Sequence, residues 1–302
     1  MMTSCARQVP EAYLFSYFTG NGEDGLHIAY SRDGLVWEPV NGGKSLLTPR
    51  LSKDKLMRDP CVIRGGDGLF HMVWTISWEE KGIGYASSPD LIHWSEQTLI
   101  PVFEGADGVR NCWAPEITYD EANQEYMIYW ASTIEGRFTE TAEAQENNLC
   151  HRIYAVTTKD FKNFSDTFLL YDYGFNVIDA SIHYREGKYI MFLKDETLTP
   201  PQKNIRIAYA DKLTGPYSEP SAPITGDYWA EGPTFLDLGS KYYLYFDRYM
   251  EGRFGVVRST DMKVWEDISD SLKMPEGIRH GSVLKVTGKE LDRLLDLDRK
   301  KD

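Results

Sequence analysis

Short runs of aliphatic, β-branched and aromatic residues alternate with polar turns along almost the whole chain, and the runs are too short for helices. Five aromatic-rich runs, at residues 13–19, 69–75, 125–131, 188–193 and 242–247, have strand composition. Each is followed by a second apolar run, at 26–31, 83–87, 153–157, 205–210 and 254–259. The second run leads into a polar turn in which an aspartate stands four residues before an aromatic: Asp33 to Trp37, Asp90 to Trp94, Asp160 to Phe164, Asp261 to Trp265. A degenerate copy runs from Asp211 to Tyr217. Four of the aromatic runs are preceded by a turn and, before it, by a strand that opens on an acid. Four short antiparallel strands repeated five times predict an all-β fold, a five-bladed β-propeller.

The first unit lacks its opening strand, whereas residues 279–286 form an opening strand with no blade behind them. Pairing this C-terminal strand with the N-terminal blade closes the ring and removes free sheet edges. The expected blades are residues 11–40 plus 279–287, then 59–98, 113–168, 178–220 and 229–268, within one domain spanning 1–302. Leucines at 291, 294 and 295 among charges predict a short amphipathic helix over 289–300. Two connections, 41–58 and 133–152, exceed what a blade needs, and either could form a pocket rim.

The openers carry the candidate chemistry. Asp59, Glu116, Asp179 and Glu231 are 57, 63 and 52 residues apart, and His280 follows after 49. The first strand of each propeller blade lines the central channel, so these five are expected in one register around a common opening. Any one alone reads as an ordinary turn residue. Crowded carboxylates raise the pKa of one while a neighbour stays ionised, which general acid and base catalysis on one bond requires. Trp113 and Trp229, beside the acids, and Trp74, in the second strand of the second blade, offer flat faces for sugar stacking; blade packing is the competing reading for each.

Composition narrows the partners. Apolar residues make up 42% of the chain and aromatics 13%, enough for a packed core. A formal charge of -13 disfavours nucleic acid and anionic membranes and suits a neutral substrate, which the sugar-stacking faces make a neutral oligosaccharide or polysaccharide. No apolar run reaches the ~20 residues of a spanning helix. The first residues lack a secretory signal, which reads as cytoplasmic; a leader removed ahead of Cys5 would make the protein periplasmic or cell-surface, with Cys5 a lipid-attachment candidate. Cys61, Cys112 and Cys150 show no metal or redox spacing, and Cys61 and Cys112 read as buried thiols.

From residue 13 to 286 the chain resembles the five-bladed propeller enzymes of glycoside hydrolase family 43, carried by Arg58-Asp59-Pro60, Trp113-Ala114-Pro115-Glu116, Ile178-Asp179, Glu231-Gly232-Pro233 and Arg279-His280-Gly281. The resemblance implies that Asp59 is the general base, Glu231 the general acid, and Asp179 the residue that tunes and orients the acid. An inverting single displacement would then place Asp59 and Glu231 roughly 6.5–9.5 Å apart. It further implies that Arg58, Glu116, Arg279 and His280 bind substrate or support the site. No cofactor is required; a structural calcium or a water near His280 is a possible occupant of the channel, although no dense run of acidic oxygen ligands predicts a metal. One departure from many relatives is that 58 residues precede Asp59.

The expected activity is release of a terminal sugar, foremost α-L-arabinofuranose, by an exo-acting glycosidase; β-D-xylosidase and exo-β-galactosidase are the alternatives within the family. A carbohydrate-binding propeller without catalysis, a retaining fructosidase and a glycoside phosphorylase are the rivals outside it. A fructosidase-type opening motif is absent.

Overall fold

The computed structural model describes residues 12–299; Cys5, residue 11 of the first expected blade and the last residue of the expected helix lie outside them. The chain forms β1 (Ala12–Tyr17), β2 (His27–Ser31), β3 (Glu38–Pro39), β4 (Arg58–Arg64), β5 (Phe70–Thr75), β6 (Ile83–Ser88), β7 (Thr98–Ile100), β8 (Trp113–Asp120), β9 (Glu125–Ser132) and β10 (Arg152–Thr158). There follow β11 (Phe168–Tyr171), β12 (Val177–Arg185), β13 (Lys188–Asp195), β14 (Asn204–Ala210), β15 (Glu231–Asp237), β16 (Tyr242–Arg248), β17 (Arg253–Ser259), β18 (Glu266–Asp267), β19 (Ser282–Val286) and the helix α1 (Gly288–Arg299).

These strands build five antiparallel sheets ordered β19-β1-β2-β3, β4-β5-β6-β7, β8-β9-β10-β11, β12-β13-β14 and β15-β16-β17-β18. They are the blades of a five-bladed propeller. The C-terminal β19 is the inner strand of the first blade, in register from Ala12↔Val286 to Ser16↔Ser282, as the incomplete first unit predicts. Between each pair of neighbouring blades lies a separate apolar core, five among the described residues. The helix α1 buries Leu291 and Leu294 in the core shared by the first two blades. Its start is a reciprocal box: Thr287 Oγ1 accepts from Glu290 N (3.4 Å) and Glu290 Oε2 accepts from Thr287 N (2.9 Å).

The fourth blade departs from the expected four strands by having three. Its outer position is taken by residues 218–224, which donate from Ser218, Ser221 and Ile224 to the carbonyls of Tyr209, Ile207 and Ile205. Pro220 and Pro223 interrupt this segment, and a proline cannot donate to a ladder, so no regular strand forms. Cys61, Cys112 and Cys150 are free and buried.

The two long connections are pinned down. In the first, Met57 N donates to Gly22 O (2.9 Å) and Ser52 Oγ to Ile76 O (2.7 Å). In the second, Glu143 Oε1 accepts from Leu198 N (2.8 Å) and Thr199 N (3.2 Å), fastening it to the loop between β13 and β14.

Candidate active site

Four inner strands begin with the same irregularity. The pairing of β4 with β5 runs Arg58↔Thr75 and then Cys61↔Val73, so two residues face one; the same step recurs between Trp113 and Glu116, Ile178 and Ser181, and Glu231 and Thr234. This is a β-bulge, which re-aims the side chains at a strand start. Its first residue is left-handed each time: Asp59 at φ 52°, Ala114 at 46°, Asp179 at 52°, Gly232 at 59°. Such a conformation costs energy outside glycine and is tolerated best by Asp and Asn. At Gly232 a side chain has no room, because a Cβ would lie 2.4 Å from the His280 ring.

The bulge overturns the expectation of one register for all the openers. Asp59 and Asp179 are the left-handed first residue of the bulge, Glu231 stands one residue before that position, and Glu116 two residues after it. Glu116 is therefore sunk in the channel, 6% exposed, and does not line the opening. At the first blade Thr19 bridges Ile278 while Ser16 pairs with Ser282, a shift of one residue that places His280 level with Asp59.

At the mouth of the channel these strands enclose a cleft of about 400 Å³, lined by Arg58, Asp59, Trp113, Asp179, Glu231, Arg279 and His280 among the expected residues. Three others do not line it. Glu116 lies beneath it. Trp74 is wholly buried between blade strands, where its indole fills the space left by Gly84, so it is packing and not a sugar platform. Trp229 stands behind the wall, against Tyr249 (ring centroids 6.0 Å) with the Lys203 ammonium 5.6 Å from its ring.

The carboxylates have distinct environments. Thr75 Oγ1 donates to Asp59 Oδ2 (2.8 Å) and accepts from Ala114 N (2.9 Å), joining the bulges of two blades. His280 Nδ1 lies 3.4 Å from Asp59 Oδ1 and 4.0 Å from Asp179 Oδ2. Burial pushes the Asp59 carboxyl up, but His280, Arg58 and Thr75 outweigh it and hold it below the usual range. Asp179 accepts from Gly232 N (2.9 Å); burial and the nearby Glu231 charge raise it, against the pull of His280. Glu116 is lifted to about 7 by burial, with Ser181, His280 and Tyr129 opposing. Burial alone would strip His280 of its proton, but the Asp59, Asp179 and Glu116 carboxyls around it raise it to about 9. A buried cation thus sits at the hub of three acids.

Glu231 is held from both sides: Lys194 Nζ donates to Oε2 (3.0 Å) and Arg279 Nη2 to Oε1 (3.3 Å), while Arg279 Nε donates to Asp247 Oδ2 (2.6 Å). Across the cleft, the Arg58 guanidinium lies 4.2 Å from the Trp78 ring centroid and 4.7 Å from that of Phe18, with Nη1 donating to Asn21 Oδ1 (3.0 Å). Trp78 and Trp113 meet edge to face at 5.5 Å, forming an aromatic corner at the rim.

Thr75, Trp78, Lys194 and Glu196 escaped the sequence reading. The signal for Lys194 was present, a lysine ending the apolar run Tyr189-Ile190-Met191-Phe192-Leu193, where a buried charge demands partners. Trp78 had none, since it follows the strand whose Trp74 looked equally suitable. Among the described residues no group of three or more His, Cys, Asp or Glu side chains is arranged to hold a metal ion. A larger groove, about 1240 Å³, runs between the second and third blades on the outer edge, but no inner strand contributes to it.

A five-bladed propeller that brings acids from separate inner strands to one channel mouth is the class of molecule the fold and site define. The chain belongs to the family described as probable glycosyl hydrolase domain, a group related to glycoside hydrolase family 43, whose pattern it matches over residues 9–292. It is 23% identical over 219 residues to an α-L-arabinofuranosidase of Bifidobacterium longum subsp. longum, covering 63% of this chain and 20% of that protein. The chain thus spans about a fifth of the length of that curated relative. Among solved structures, a thermostable family-43 glycoside hydrolase superposes with TM-score 0.54 at 17% identity, over 70% of this chain and 71% of that one. The α-L-arabinofuranosidase from Lactobacillus brevis gives 0.52 at 16% over 70% and 72%, and the exo-β-1,3-galactanase from Phanerochaete chrysosporium 0.54 at 14% over 80% and 54%.

Proposed function

We propose that the protein is an inverting exo-glycosidase that releases a terminal sugar, foremost α-L-arabinofuranose, from plant oligosaccharides or polysaccharides. Asp59 takes a proton from water as the water attacks the anomeric carbon; Glu231 gives a proton to the departing oxygen; Asp179 orients the acid through Gly232. Arg58, Arg279 and the Trp78–Trp113 corner bind the sugar. The observation that carries this reading is that Asp59, Asp179 and Glu231, from three separate inner strands, line one cleft, with His280 and Arg58 beside Asp59 holding its carboxyl below the usual range. A base must be ionised before water attacks, and the lowered Asp59 carboxyl supports that role. The named relatives include arabinofuranosidases and a galactanase, so β-D-xylosides and β-D-galactosides belong in the same assay.

The test is turnover of aryl α-L-arabinofuranoside, β-D-xyloside and β-D-galactoside, followed by NMR of the first anomer released. Asp59→Asn is expected to lower kcat by roughly 10²–10⁴-fold with sugar affinity nearly unchanged. Turnover of none of the three, or of arabinan, xylan or arabinogalactan, would remove the reading; so would a wild-type rate in Asp59→Asn. Retention at the anomeric carbon would instead reassign Asp59 as a nucleophile.

A further inference from the structure

We infer that Lys194 is a positioning residue for Glu231, holding the proton-donating carboxyl in line with the departing oxygen and tying it to the loop at 133–152. The inference rests on Glu231 being the general acid. Lys194 ends the apolar stretch of β13 opposite Ile178, the residue before Asp179, so its side chain reaches the cleft wall between the two acids. Its Nζ is 3.0 Å from Glu231 Oε2 and 2.6 Å from Glu196 Oε2, and the ring of Tyr249 covers it with its centroid at 4.7 Å.

The pair is one link of a longer chain of alternating charge. Glu196 Oε1 is 2.7 Å from Lys203 Nζ, which is 2.6 Å from Glu146 Oε1 on the loop at 133–152. Both lysines are 1% exposed. Two ammonium groups buried at that depth stabilise little, since apolar residues of similar volume do as well or better there. A chain that ends on the proposed acid, with Glu196 itself lining the cleft, makes geometric sense as a frame for that acid. Arg279 restrains the opposite oxygen, so losing Lys194 leaves Glu231 tethered on one side and free to turn.

A misplaced acid has a kinetic mark that mere loosening of the fold lacks. Proton donation matters when the leaving group is a poor one and hardly at all when it departs readily as an anion. The experiment compares Lys194→Met, Lys194→Arg and Glu231→Gln with wild type on methyl, 4-nitrophenyl and 2,4-dinitrophenyl glycosides of whichever sugar the wild type turns over. Lys194→Met is expected to lose at least about 10-fold in kcat on the methyl glycoside, part of what a general acid supplies, and to recover most of it on the dinitrophenyl glycoside, with KM little changed. Lys194→Arg keeps the charge at a different reach and should show the same leaving-group trend at smaller size; it also serves if the Met variant does not fold. Equal losses on all three substrates, or none, in the folded variants would overturn the inference. Glu231→Gln separates the two claims: if it shows the leaving-group trend and the Lys194 variants do not, only this inference falls, and if Glu231→Gln lacks the trend, its role as acid falls and this inference with it. Absence of wild-type turnover on every sugar ends both.

Discussion

Glu116 shows how a shift of two residues changes what a carboxyl does. Asp59 and Asp179, on the bulge, reach the cleft; Glu116, past it, is buried against Tyr129, whose hydroxyl lies 3.3 Å from Oε2. Its folded pKa, about 7, is above its ordinary 4.5, so the folded state holds this proton more tightly than the unfolded chain. The resulting stabilisation is complete below pH 4.5 and is lost as pH rises through 7, a contribution on the order of 3 kcal/mol. Glu116→Gln keeps the size and cannot ionise, so its thermal stability should decline less than wild type's between pH 4.5 and 7. Parallel pH profiles of Tm for the two would refute the assignment. The bulge is visible in the sequence. Aligning the segments on Pro60, Pro115 and Pro233 sets Asp59 level with Ala114 and Gly232, which puts Glu231 one residue early and Glu116 two late. Alignment on the acids hides the bulge, because residues of like charge there do not hold equivalent positions. Trp74 was unreadable for another reason: every residue of β5 is buried, so alternation along the strand could not tell the cleft side from the packing side.

At the scale of elements, the strands were legible and the turns half so. The aspartate of each repeat works as a cap: Asp90 Oδ1 accepts from Ile92 N (3.0 Å) and His93 N (2.8 Å), and Asp33, Asp160 and Asp261 do the same for their own turns. The missing half is the hydroxyl two residues earlier, at Ser31, Ser88, Thr158 and Ser259, which accepts the next backbone N–H groups. Between them these side chains satisfy the donors that a tight turn would leave bare. The degenerate copy has Tyr209 where the hydroxyl should be and Pro216 inside the turn, and its blade is the one that lacks a fourth strand. Asp90→Ala removes the carboxylate that accepts from two backbone N–H groups in a half-buried turn and should cost about 1 kcal/mol, as loss of a helix N-cap does. A urea midpoint indistinguishable from wild type would mean that water replaces the carboxylate without loss.

For the molecule as a whole, the question is what keeps five separate cores acting as one body. Every junction of the inner ring is crossed by a bond between a side chain and a neighbouring backbone. Thr75 joins the second blade to the third at Ala114, and Tyr129 joins the third to the fourth at Ile182 N (2.8 Å). Asp179 joins the fourth to the fifth at Gly232, and Thr234 joins the fifth to the first at Val283 N (3.0 Å). Ser282 closes the ring: its Oγ accepts from Val62 N (2.8 Å) and lies 2.9 Å from Ser16 Oγ, which donates to Pro60 O (2.7 Å). The half-blades at the chain ends announced closure, but nothing in the sequence marked these stitches, since serine and threonine are common and the contacts join residues up to 266 apart. Two of the stitches, Thr75 and Asp179, are also cleft residues, so the ring that stabilises the fold is the frame that places the acids. Ser282→Ala leaves Val62 N without its buried partner and should cost about 1–3 kcal/mol. Because the blades share one closed ring, the loss should lower the midpoint of a single unfolding transition by a few degrees and leave its width unchanged. A second transition in calorimetry, with the first blade melting ahead of the rest, would show instead that the blades are stabilised independently and that closure contributes only at its own seam.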